Sequence, residues 1–279
     1  MTAITQAYAL PASTRTDRAR PHYSVMSAPH LNLFPIPGIP LINAGDNLAE
    51  LVCTAAADAE LAIETGDVIV IAQKLVSKAE GRVVSLQTVE PGDEAQRLAA
   101  ETEKEPEVVQ LILDQSRRIL RHRPGVLIAE HKLGFVLANA GIDRSNVDAD
   151  PDKVLLLPED PDRSAVLLRE AINSKLNVRI GIVIADSVGR AWRMGTTGMA
   201  LGCAGVEALL NLRGHKDMFG RELQVSEHAV ADSIASAAEL LLGEADEAMP
   251  VVVVRGLDEG ESTQDSTVLL RPEDEDMFR

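Results

Sequence analysis

The stretch Thr65-Gly66-Asp67-Val68-Ile69-Val70-Ile71 joins an amphipathic helix to a buried strand. Thr65-Gly66-Asp67 is a turn that ends the helix, and the four β-branched residues after it are typical of a strand buried on both faces. Asp46 or Asn47 is expected to cap the helix. The helix itself is predicted because apolar residues recur at 3.6-residue spacing, namely Leu48, Leu51, Val52, Ala55, Ala59, Ala62 and Ile63.

Similar junctions recur along the chain and predict a mixed α/β fold of the α+β kind. Short apolar strands are expected near residues 82–84, 126–128, 135–137, 180–185 and 251–255. Helices are expected after Asp160, where a proline and acidic residues suit a first turn, and from a cap at Ser226 to a stop at Gly243. Residues 189–205 contain too many glycines for an ordinary strand and predict a shaped loop.

Composition and charge exclude several classes of protein. The 279 residues carry 27 Lys and Arg against 43 Asp and Glu, and the net charge of -16 repels polyanions, so no nucleic-acid partner is expected. The two cysteines, Cys53 and Cys203, are too few for a disulfide framework or a four-thiolate zinc site and indicate a cytoplasmic location. No apolar run approaches the roughly 20 residues that span a bilayer, so no membrane partner is expected.

The chain is predicted to divide into three parts. Residues 1–30 carry prolines and arginines without an apolar segment, and we expect a mobile extension rather than a secretory signal. Residues 31–260 form the main domain, in which residues 91–122 have the composition of a separate helical lobe. Residues 261–279 include a run of four acids and predict a solvated acidic tail.

Three cations follow the strand at residues 68–71 in this otherwise acidic chain: Lys74, Lys78 and Arg82. Strand ends deliver side chains to the surface of α/β proteins, where ligands commonly bind. A positive cluster at such a position suits phosphate or carboxylate groups. An ordinary solvated strand exit is an equal alternative on composition alone.

Two acidic residues from distant parts of the chain are candidate metal ligands. Asp186 follows the apolar run 180–185, which puts it at the carboxyl end of a strand, and Asp143 lies in the polar turn 139–146. Carboxylate, amide and hydroxyl oxygens suit Mg²⁺ or Mn²⁺ bound beside phosphates. The competing interpretation is an Asx-turn, in which the Asp143 carboxylate only binds its own backbone.

A third candidate is the segment 189–198, which contains Arg190, Arg193 and the single tryptophan, Trp192. Guanidinium groups bind phosphates and carboxylates, whereas a lone tryptophan more often fills a core. The polar segment 211–217 is either a ligand lid or a hairpin. The sequence contains no G-x-x-x-x-G-K-[ST] or G-x-G-x-x-G phosphate cradle, no zinc-hydrolase histidine spacing and no G-x-S-x-G elbow.

Six segments together resemble the coenzyme F-420-0:L-glutamate ligase family, also called the F-420 gamma-glutamyl ligases. The resemblance implies a two-subdomain ligase fold that forms an intertwined homodimer. It also implies a GTP-dependent reaction that adds L-glutamate to coenzyme F-420-0 by an amide bond, through an acyl phosphate. The six segments are Gly38-Ile39-Pro40-Leu41-Ile42, Val76-Ser77-Lys78-Ala79-Glu80-Gly81-Arg82, Asn139-Ala140-Gly141-Ile142-Asp143-Arg144-Ser145-Asn146-Val147, Leu157-Pro158-Glu159-Asp160-Pro161-Asp162-Arg163-Ser164-Ala165, Asp186-Ser187-Val188-Gly189-Arg190-Ala191-Trp192-Arg193 and Val254-Arg255-Gly256-Leu257.

The resemblance also implies roles for individual residues. Asp143, Asp186 and Ser187 are expected to bind Mg²⁺ or Mn²⁺, two ions per subunit, with K⁺ as a possible further ion. Lys78, Arg190 and Arg193 are expected to neutralise the charge that develops in phosphoryl transfer. The residues expected around the nucleotide, with the Gly243-Glu244 turn nearby, are Ile39, Pro40, Leu41, Ile42, Gln73, Lys74, Lys78, Asn146 and Gly243.

The chain departs from the family pattern beside Asp186. Ser187 stands where the family usually has Thr and keeps the hydroxyl, whereas Val188 and Ala191 replace a common Phe and Pro. Loss of the ring and the proline could reshape the acceptor pocket. Two alternatives therefore stay open: a glutamate ligase for another acidic cofactor, and a catalytically silent homologue that binds a nucleotide or cofactor.

Overall fold

The computed structural model describes residues 30–257 and 262–277. The extension predicted for residues 1–30 lies outside the described residues, apart from His30, and so do the ends of the predicted tail. From Leu31 onward the chain forms one compact unit. None of the helices among the described residues is both long enough and apolar enough to cross a membrane.

A five-stranded sheet forms the centre of this unit. Its strands lie in the order β1 (Asn32–Pro35), β12 (Val251–Arg255), β2 (Val68–Ala72), β8 (Gly181–Gly189) and β9 (Thr196–Ala204). Within this sheet β2 and β8 are parallel, and the other neighbours are antiparallel. The mixed α/β class and the strands predicted at 68–71, 180–185 and 251–255 are therefore confirmed.

The other elements form the layers and smaller sheets around it. Among the described residues the helices are α1 (Leu48–Asp58), α2 (Gln73–Ala79), α3 (Asp93–Thr102), α4 (Pro106–Gln115), α5 (Pro161–Leu176) and α6 (Val230–Leu242). The remaining strands are β3 (Val83–Ser85), β4 (Ser116–Arg123), β5 (Val126–His131), β6 (Val136–Ala138), β7 (Lys153–Leu155), β10 (Leu209–Asn211) and β11 (Glu227–Ala229). They pair as β3 with β7, β4-β5-β6, and β10 with β11.

The β-branched run of β2 serves two apolar cores because successive strand residues point to opposite faces. Ile69 and Ile71 pack in the core that contains α1 and α5. Val68 and Val70 pack in the core that contains α6. All four side chains are fully buried, as the uninterrupted apolar run predicted. At the start of α1, the Asn47 side chain accepts a hydrogen bond from the Glu50 amide and confirms one of the two predicted caps.

The helical lobe predicted for residues 91–122 is wrong over its last seven residues, 116–122. Helices α3 and α4 fit the prediction, but the chain becomes extended at Ser116 and continues as β4. The reason is tertiary, because the backbone from Ser116 onward pairs with β5 instead of with itself. Ile119 still packs on the apolar cluster of α3 and α4, but it does so from a strand.

The shaped loop predicted for residues 189–205 is also wrong, because most of it is β9. The glycines of this strand permit close helix packing rather than irregular backbone. A Cβ atom at Gly198 would lie 2.4 Å from the backbone oxygen of Ala235 in α6, and one at Gly202 would lie 2.4 Å from the backbone carbon of Pro161 in α5. Only the connection between β8 and β9 is a loop.

Two helix starts differ from the predictions. Ser226 does not cap α6, which begins at Val230 after β11, although α6 ends at Gly243 as expected. Residues 211–217 belong to the β10–β11 hairpin, which an isolated bridge between Lys216 and Glu222 extends. The hairpin is therefore the correct one of the two alternatives.

Helix α2 was not predicted because it follows β2 directly and no side chain caps it.

Candidate active site

The parallel pairing of β2 and β8 ends at one edge of the sheet, beside a cleft. Ala72 pairs with Ala185, so Gln73 and Asp186 follow the last paired residues, and Asp186 stays in β8 opposite Met199 of β9. Loops from three other parts of the chain close around this edge and enclose a volume of about 300 Å³. The carboxyl ends of parallel strands are the usual ligand position in α/β folds.

Most of the residues predicted to bind ligands line this one cleft. The structure brings together Ile39, Pro40, Leu41, Ile42, Gln73, Lys74, Lys78, Asn146, Asp186, Ser187 and Gly243. These residues come from segments up to about two hundred positions apart, so the fold and not the sequence spacing assembles them. Three arginines that were also candidates do not line the cleft. Arg82 donates to the Leu157 carbonyl, and neither Arg190 nor Arg193 lines the cleft.

Asp143 does not itself line the cleft, but it contacts Lys74, which does. The Lys74 ammonium lies 2.6 Å from Asp143 Oδ2 and donates to Ser145 Oγ at 2.8 Å. Asp143 Oδ1 accepts from the Ser145 amide at 2.7 Å, so the predicted Asx-turn is present. Burial acts to raise the pKa of Asp143, but Lys74 and the Ser145 amide outweigh it and lower the pKa. One carboxylate therefore shapes its turn and holds a cleft lysine.

Lys78 and Asn146 connect the two loops that flank the cleft. The Lys78 ammonium donates to the Asn146 carbonyl at 2.6 Å, and Asn146 Nδ2 donates to the Ala245 carbonyl at 2.8 Å. Burial and the neighbouring charge of Lys74 lower the pKa of Lys78. Two lysines crowded on α2 favour an anionic ligand, which would relieve their mutual repulsion.

Asp186 is a partly buried carboxylate of the cleft wall. Burial and the negative charge of Asp143 raise its pKa to about 7, although Lys74 acts in the opposite direction. Ser187 beside it donates to Glu244 Oε2 at 3.1 Å. A carboxylate in a cleft whose pKa is shifted by burial and by a neighbouring charge is typical of functional sites.

Two acidic residues at the C-terminal end of α6, Glu239 and Glu244, line the cleft. Glu244 also accepts from Thr196 Oγ1 at 2.6 Å, which ties the loop after α6 to β9. Both carboxylate oxygens of Glu239 are buried, and its side chain shares a hydrogen bond with the carboxyl group of Glu244. Burial, Glu244 and Asp186 raise the pKa of Glu239 to about 8.

Glu244 was expected near the nucleotide, Thr196 was included only as part of the candidate segment 189–198, and Glu239 was not predicted. One signal could have found Glu239. An acidic residue in the last turn of a helix faces the negative end of the helix dipole, so Glu239 is unfavourably placed for helix stability. Thr196 carries no comparable signal because its partner is 48 residues away.

The chemistry of these side chains fits a hard divalent cation. Among the described residues no three His, Cys, Asp or Glu side chains are already arranged as a metal centre. Nevertheless, the buried carboxyl group of Glu239 lies beside that of Glu244, and both line the cleft together with Asp186. The side chains that could bind a metal ion here offer carboxylate and hydroxyl oxygens and no thiolate. Mg²⁺ and Mn²⁺ prefer such oxygen ligands. The same cleft thus offers lysines to anions and carboxylates to cations.

A cleft of this kind, at the ends of parallel strands and lined by charges of both signs, defines a ligand-binding α/β protein. The chain belongs to the F420-0:gamma-glutamyl ligase family, whose family model matches residues 38–256. The resemblance seen in the sequence is therefore confirmed.

Three relatives of the chain carry the name coenzyme F420:L-glutamate ligase. The protein of Methanopyrus kandleri is 44% identical over 90% of this chain and 98% of its own length. That of Methanocaldococcus jannaschii is 43% identical over 86% of this chain and 94% of its own. That of Archaeoglobus fulgidus is 42% identical over 89% of this chain and 96% of its own. The similarity therefore extends over most of both chains in each case.

Proposed function

We propose that this chain is a ligase that adds L-glutamate to coenzyme F-420-0 by an amide bond, with GTP as the co-substrate and GDP and phosphate as products. The names of the relatives supply the substrate and the reaction type. One structural observation carries the rest: Lys74 and Lys78 share a cleft with Asp186 and Glu244. Such a combination suits a nucleotide phosphate chain bound with divalent cations.

The chemistry proposed for this cleft runs in two steps. The γ-phosphoryl group passes to the carboxylate of coenzyme F-420-0, the bond between phosphorus and the bridging oxygen breaks, and GDP leaves. The amine nitrogen of L-glutamate then attacks the acyl carbon, phosphate leaves with the electrons of the carbon–oxygen bond, and the nitrogen releases a proton. A bound Mg²⁺ or Mn²⁺ would supply positive charge to the phosphate oxygens.

The residues of the chain would bind and orient the reactants. Lys78 would contact phosphate oxygens, and Lys74 would exchange Asp143 for an anionic ligand. Asp143, Asp186 and Ser187 would hold the cations, two per subunit in this proposal. The charge-neutralising roles of Arg190 and Arg193 stay predictions, as do a K⁺ requirement and the cytoplasmic location.

The homodimer and the two subdomains are further parts of this proposal. Several large apolar side chains are exposed in the described chain, and four of them lie in two connections between strands. Trp192 and Met194 lie on the β8–β9 connection, and Met218 and Phe219 lie in the β10–β11 hairpin, with 87 to 96% of each side chain exposed. Exposed apolar side chains of this size are typical of association surfaces and support a dimer.

Mass spectrometry of the products tests the ligase proposal. The full chain is incubated with coenzyme F-420-0, L-glutamate, Mn²⁺ and either GTP or ATP. We expect a product heavier by one or more glutamyl residues, formed with GTP. Asp143→Asn and Asp186→Asn should each lower the rate by roughly 100-fold or more, because each removes a cation ligand. Asp114→Asn is the matched control, since Asp114 is exposed on α4 outside the cleft lining and accepts from the Gln110 side chain, which an asparagine oxygen can also do.

The same experiment separates the two alternatives. GTP turnover that depends on glutamate but needs a different acidic acceptor would favour a related ligase, consistent with Val188 and Ala191 near the site. Nucleotide binding without turnover for any acceptor would favour the silent homologue. Wild-type rates in both Asn variants would contradict the proposed cation site.

A further inference from the structure

Residues 157–165 form one of the six segments that resemble the family, but none of them lines the cleft. This segment instead contacts Glu80, which follows α2 directly. Glu80 Oε2 accepts from the Glu159 amide at 3.1 Å, and Glu80 Oε1 accepts from Ser164 Oγ at 2.5 Å. A segment outside the cleft therefore holds the end of the helix that carries Lys78.

Arg82 makes a second connection between the same two parts of the chain. Its Nε donates to the Leu157 carbonyl at 3.0 Å, and its Nη1 lies 3.2 Å from Glu159 Oε1. Its Nη2 donates to Gln115 Oε1 at 3.3 Å, and its backbone carbonyl accepts from the Leu156 amide at 3.2 Å. Because the guanidinium donors have a fixed planar geometry, these contacts restrict the position of the backbone that follows α2.

The strand before this segment holds the other side of the lysine pair. Strand β7 pairs with β3, which follows Arg82, and Leu155 at the end of β7 also exchanges two backbone hydrogen bonds with Asp143, at 3.0 and 2.9 Å. Asp143 in turn contacts Lys74. Residues 155–164, which we call the anchor segment, are therefore attached both to the C-terminal end of α2 and to the acid that contacts the first lysine of α2.

Helix α2 needs these attachments because it cannot fix its own position. It has seven residues, no side chain caps its first turn, and isolated helices shorter than roughly 12 residues are marginal in water. Its two lysines also lie four residues apart, where like charges repel each other. The sheet fixes the start of α2 through β2, and the anchor segment fixes its end.

We propose that Glu80 and Arg82 are positioning residues, which use the anchor segment to hold Lys78 where an anionic ligand of the cleft binds. Neither residue lines the cleft, so each acts on the ligand only through α2. The identity of the anion, a phosphate chain, rests on the proposed function.

Arg82→Lys tests the proposal because it keeps the charge and removes the planar set of donors. Arg255→Lys is the matched control. Arg255 donates to both carboxylate oxygens of Asp67 at 2.7 Å, and Asp67 precedes β2, so this contact lies at the end of the strand away from the cleft. Calorimetry measures the binding of inorganic triphosphate with Mn²⁺ to each full-length variant, and urea unfolding measures its stability.

We expect Arg82→Lys to bind triphosphate roughly fivefold more weakly than the wild type or worse, because a displaced lysine loses its alignment with the anion. Arg255→Lys should also lower the free energy of unfolding but should bind triphosphate as the wild type does. In a Lys78→Met background, Arg82→Lys should change the affinity by less than about twofold, because a residue that acts through Lys78 has no further effect once that lysine is gone.

Three results would each overturn the proposal: wild-type affinity in Arg82→Lys, an equal loss of affinity in Arg255→Lys, or losses that add fully to that of Lys78→Met. If Arg82→Lys does not fold, Glu80→Gln takes its place, since its single amide oxygen replaces only one of the two carboxylate acceptors, and the same loss is expected.

The outcome is separable from that of the ligase proposal. The expected pattern of affinities without any glutamylated product would refute the reaction alone. Normal product formation with unchanged affinity in Arg82→Lys would refute the positioning role alone. A wild-type protein that binds no triphosphate would overturn the positioning role together with the proposed phosphate site.

Discussion

Lys74 and Lys78 show how single residues prepare the cleft for an anion. Each ammonium has an oxygen at 2.6 Å, from Asp143 for Lys74 and from the Asn146 carbonyl for Lys78, and Lys74 also donates to Ser145. These contacts keep two like charges close together on α2, which burial alone would disfavour. A phosphate group can therefore bind to side chains that are already positioned, and little conformational entropy is lost.

Lys78→Met is expected to weaken GTP binding by roughly 10- to 100-fold, because a hydrogen bond from a charged donor contributes about 1.5–3 kcal/mol. Calorimetric titration with GTP and Mn²⁺ measures the effect. Lys175→Met is the control, since its ammonium pairs with Glu50 of α1 and neither residue lines the cleft. Equal GTP affinity in the two variants would show that Lys78 is not a phosphate contact.

His131 makes a second residue-scale prediction, on pH and stability. Burial, followed by Arg82, Lys132 and Arg117, lowers its pKa to about 4, and its Nδ1 accepts from the Leu133 amide. The unfolded chain has a histidine pKa of about 6.5, so the unfolded state binds more protons between these values. The contribution of His131 to stability is therefore present above pH 6.5 and is lost as the pH falls toward 4.

His131→Gln should accordingly reduce the pH dependence of the unfolding free energy between about pH 7 and pH 5. Denaturant unfolding at both pH values measures this quantity. The exposed His215→Gln is the control and should leave the pH dependence as in the wild type. An identical slope in His131→Gln and in the wild type would show that the histidine is not buried in its neutral form.

At the scale of elements, β9 is the strand of the central sheet on which α5 and α6 pack closely, one on each face. The bulge in its pairing with β8 lies between the two close helix contacts, so Gly198 meets α6 and Gly202 meets α5. A strand with larger residues at these positions would keep both helices further away. The strand thereby fixes the position of α6, whose C-terminal end forms one wall of the cleft.

Gly202→Ala is expected to lower the free energy of unfolding by about 1–3 kcal/mol, because the added methyl group meets the rigid backbone of α5. Gly198→Ala should have a similar effect against α6. Gly189→Ala is the matched control in the same ribbon, since no atom lies within 4 Å of the place that its added methyl group would take. Urea unfolding of the three variants measures the difference, and equal stabilities would contradict close packing as the reason for the glycines.

At the scale of the whole molecule, the net charge of -16 governs solubility while the cleft has its own balance of charges. The acidic excess excludes a broad basic surface, yet the proposed ligands are anions. Lys74 and Lys78, together with cations bound by the cleft carboxylates, would supply positive charge where it is needed. The rest of the acidic surface repels itself and costs stability.

Salt should therefore stabilise the protein. Between ionic strengths of about 0.01 M and 0.1 M the screening length falls from about 30 Å to about 10 Å, which removes most of the long-range repulsion. We expect the unfolding temperature to rise over this range, measured with NaCl and a chelator so that no divalent cation contributes. Choline chloride is the control for specific Na⁺ binding and should give the same rise. A falling or constant unfolding temperature would show that favourable ion pairs outweigh the repulsion.

Local patterns in the chain were enough to predict the elements of the core and the polar residues at strand ends. The β-branched run at residues 68–71 and the apolar run before Asp186 predict strands because burial on both faces leaves no polar position. The Asn47 cap and the first-turn proline of α5 are equally local signals. The cleft residues implied by the family resemblance depend on motifs, each of which is continuous in the chain.

Contacts between distant segments decided what these signals could not predict. Residues 116–122 became a strand because β5 offered backbone partners. Residues 196–204 became a strand because β8 offered backbone partners, and its glycines let a helix pack closely on each face. Glu239 and Thr196 entered the site only when α6 and β9 packed together. Hydrogen-bond partners, burial and electric field belong to the folded chain, so a residue that owes its role to them has no local signature.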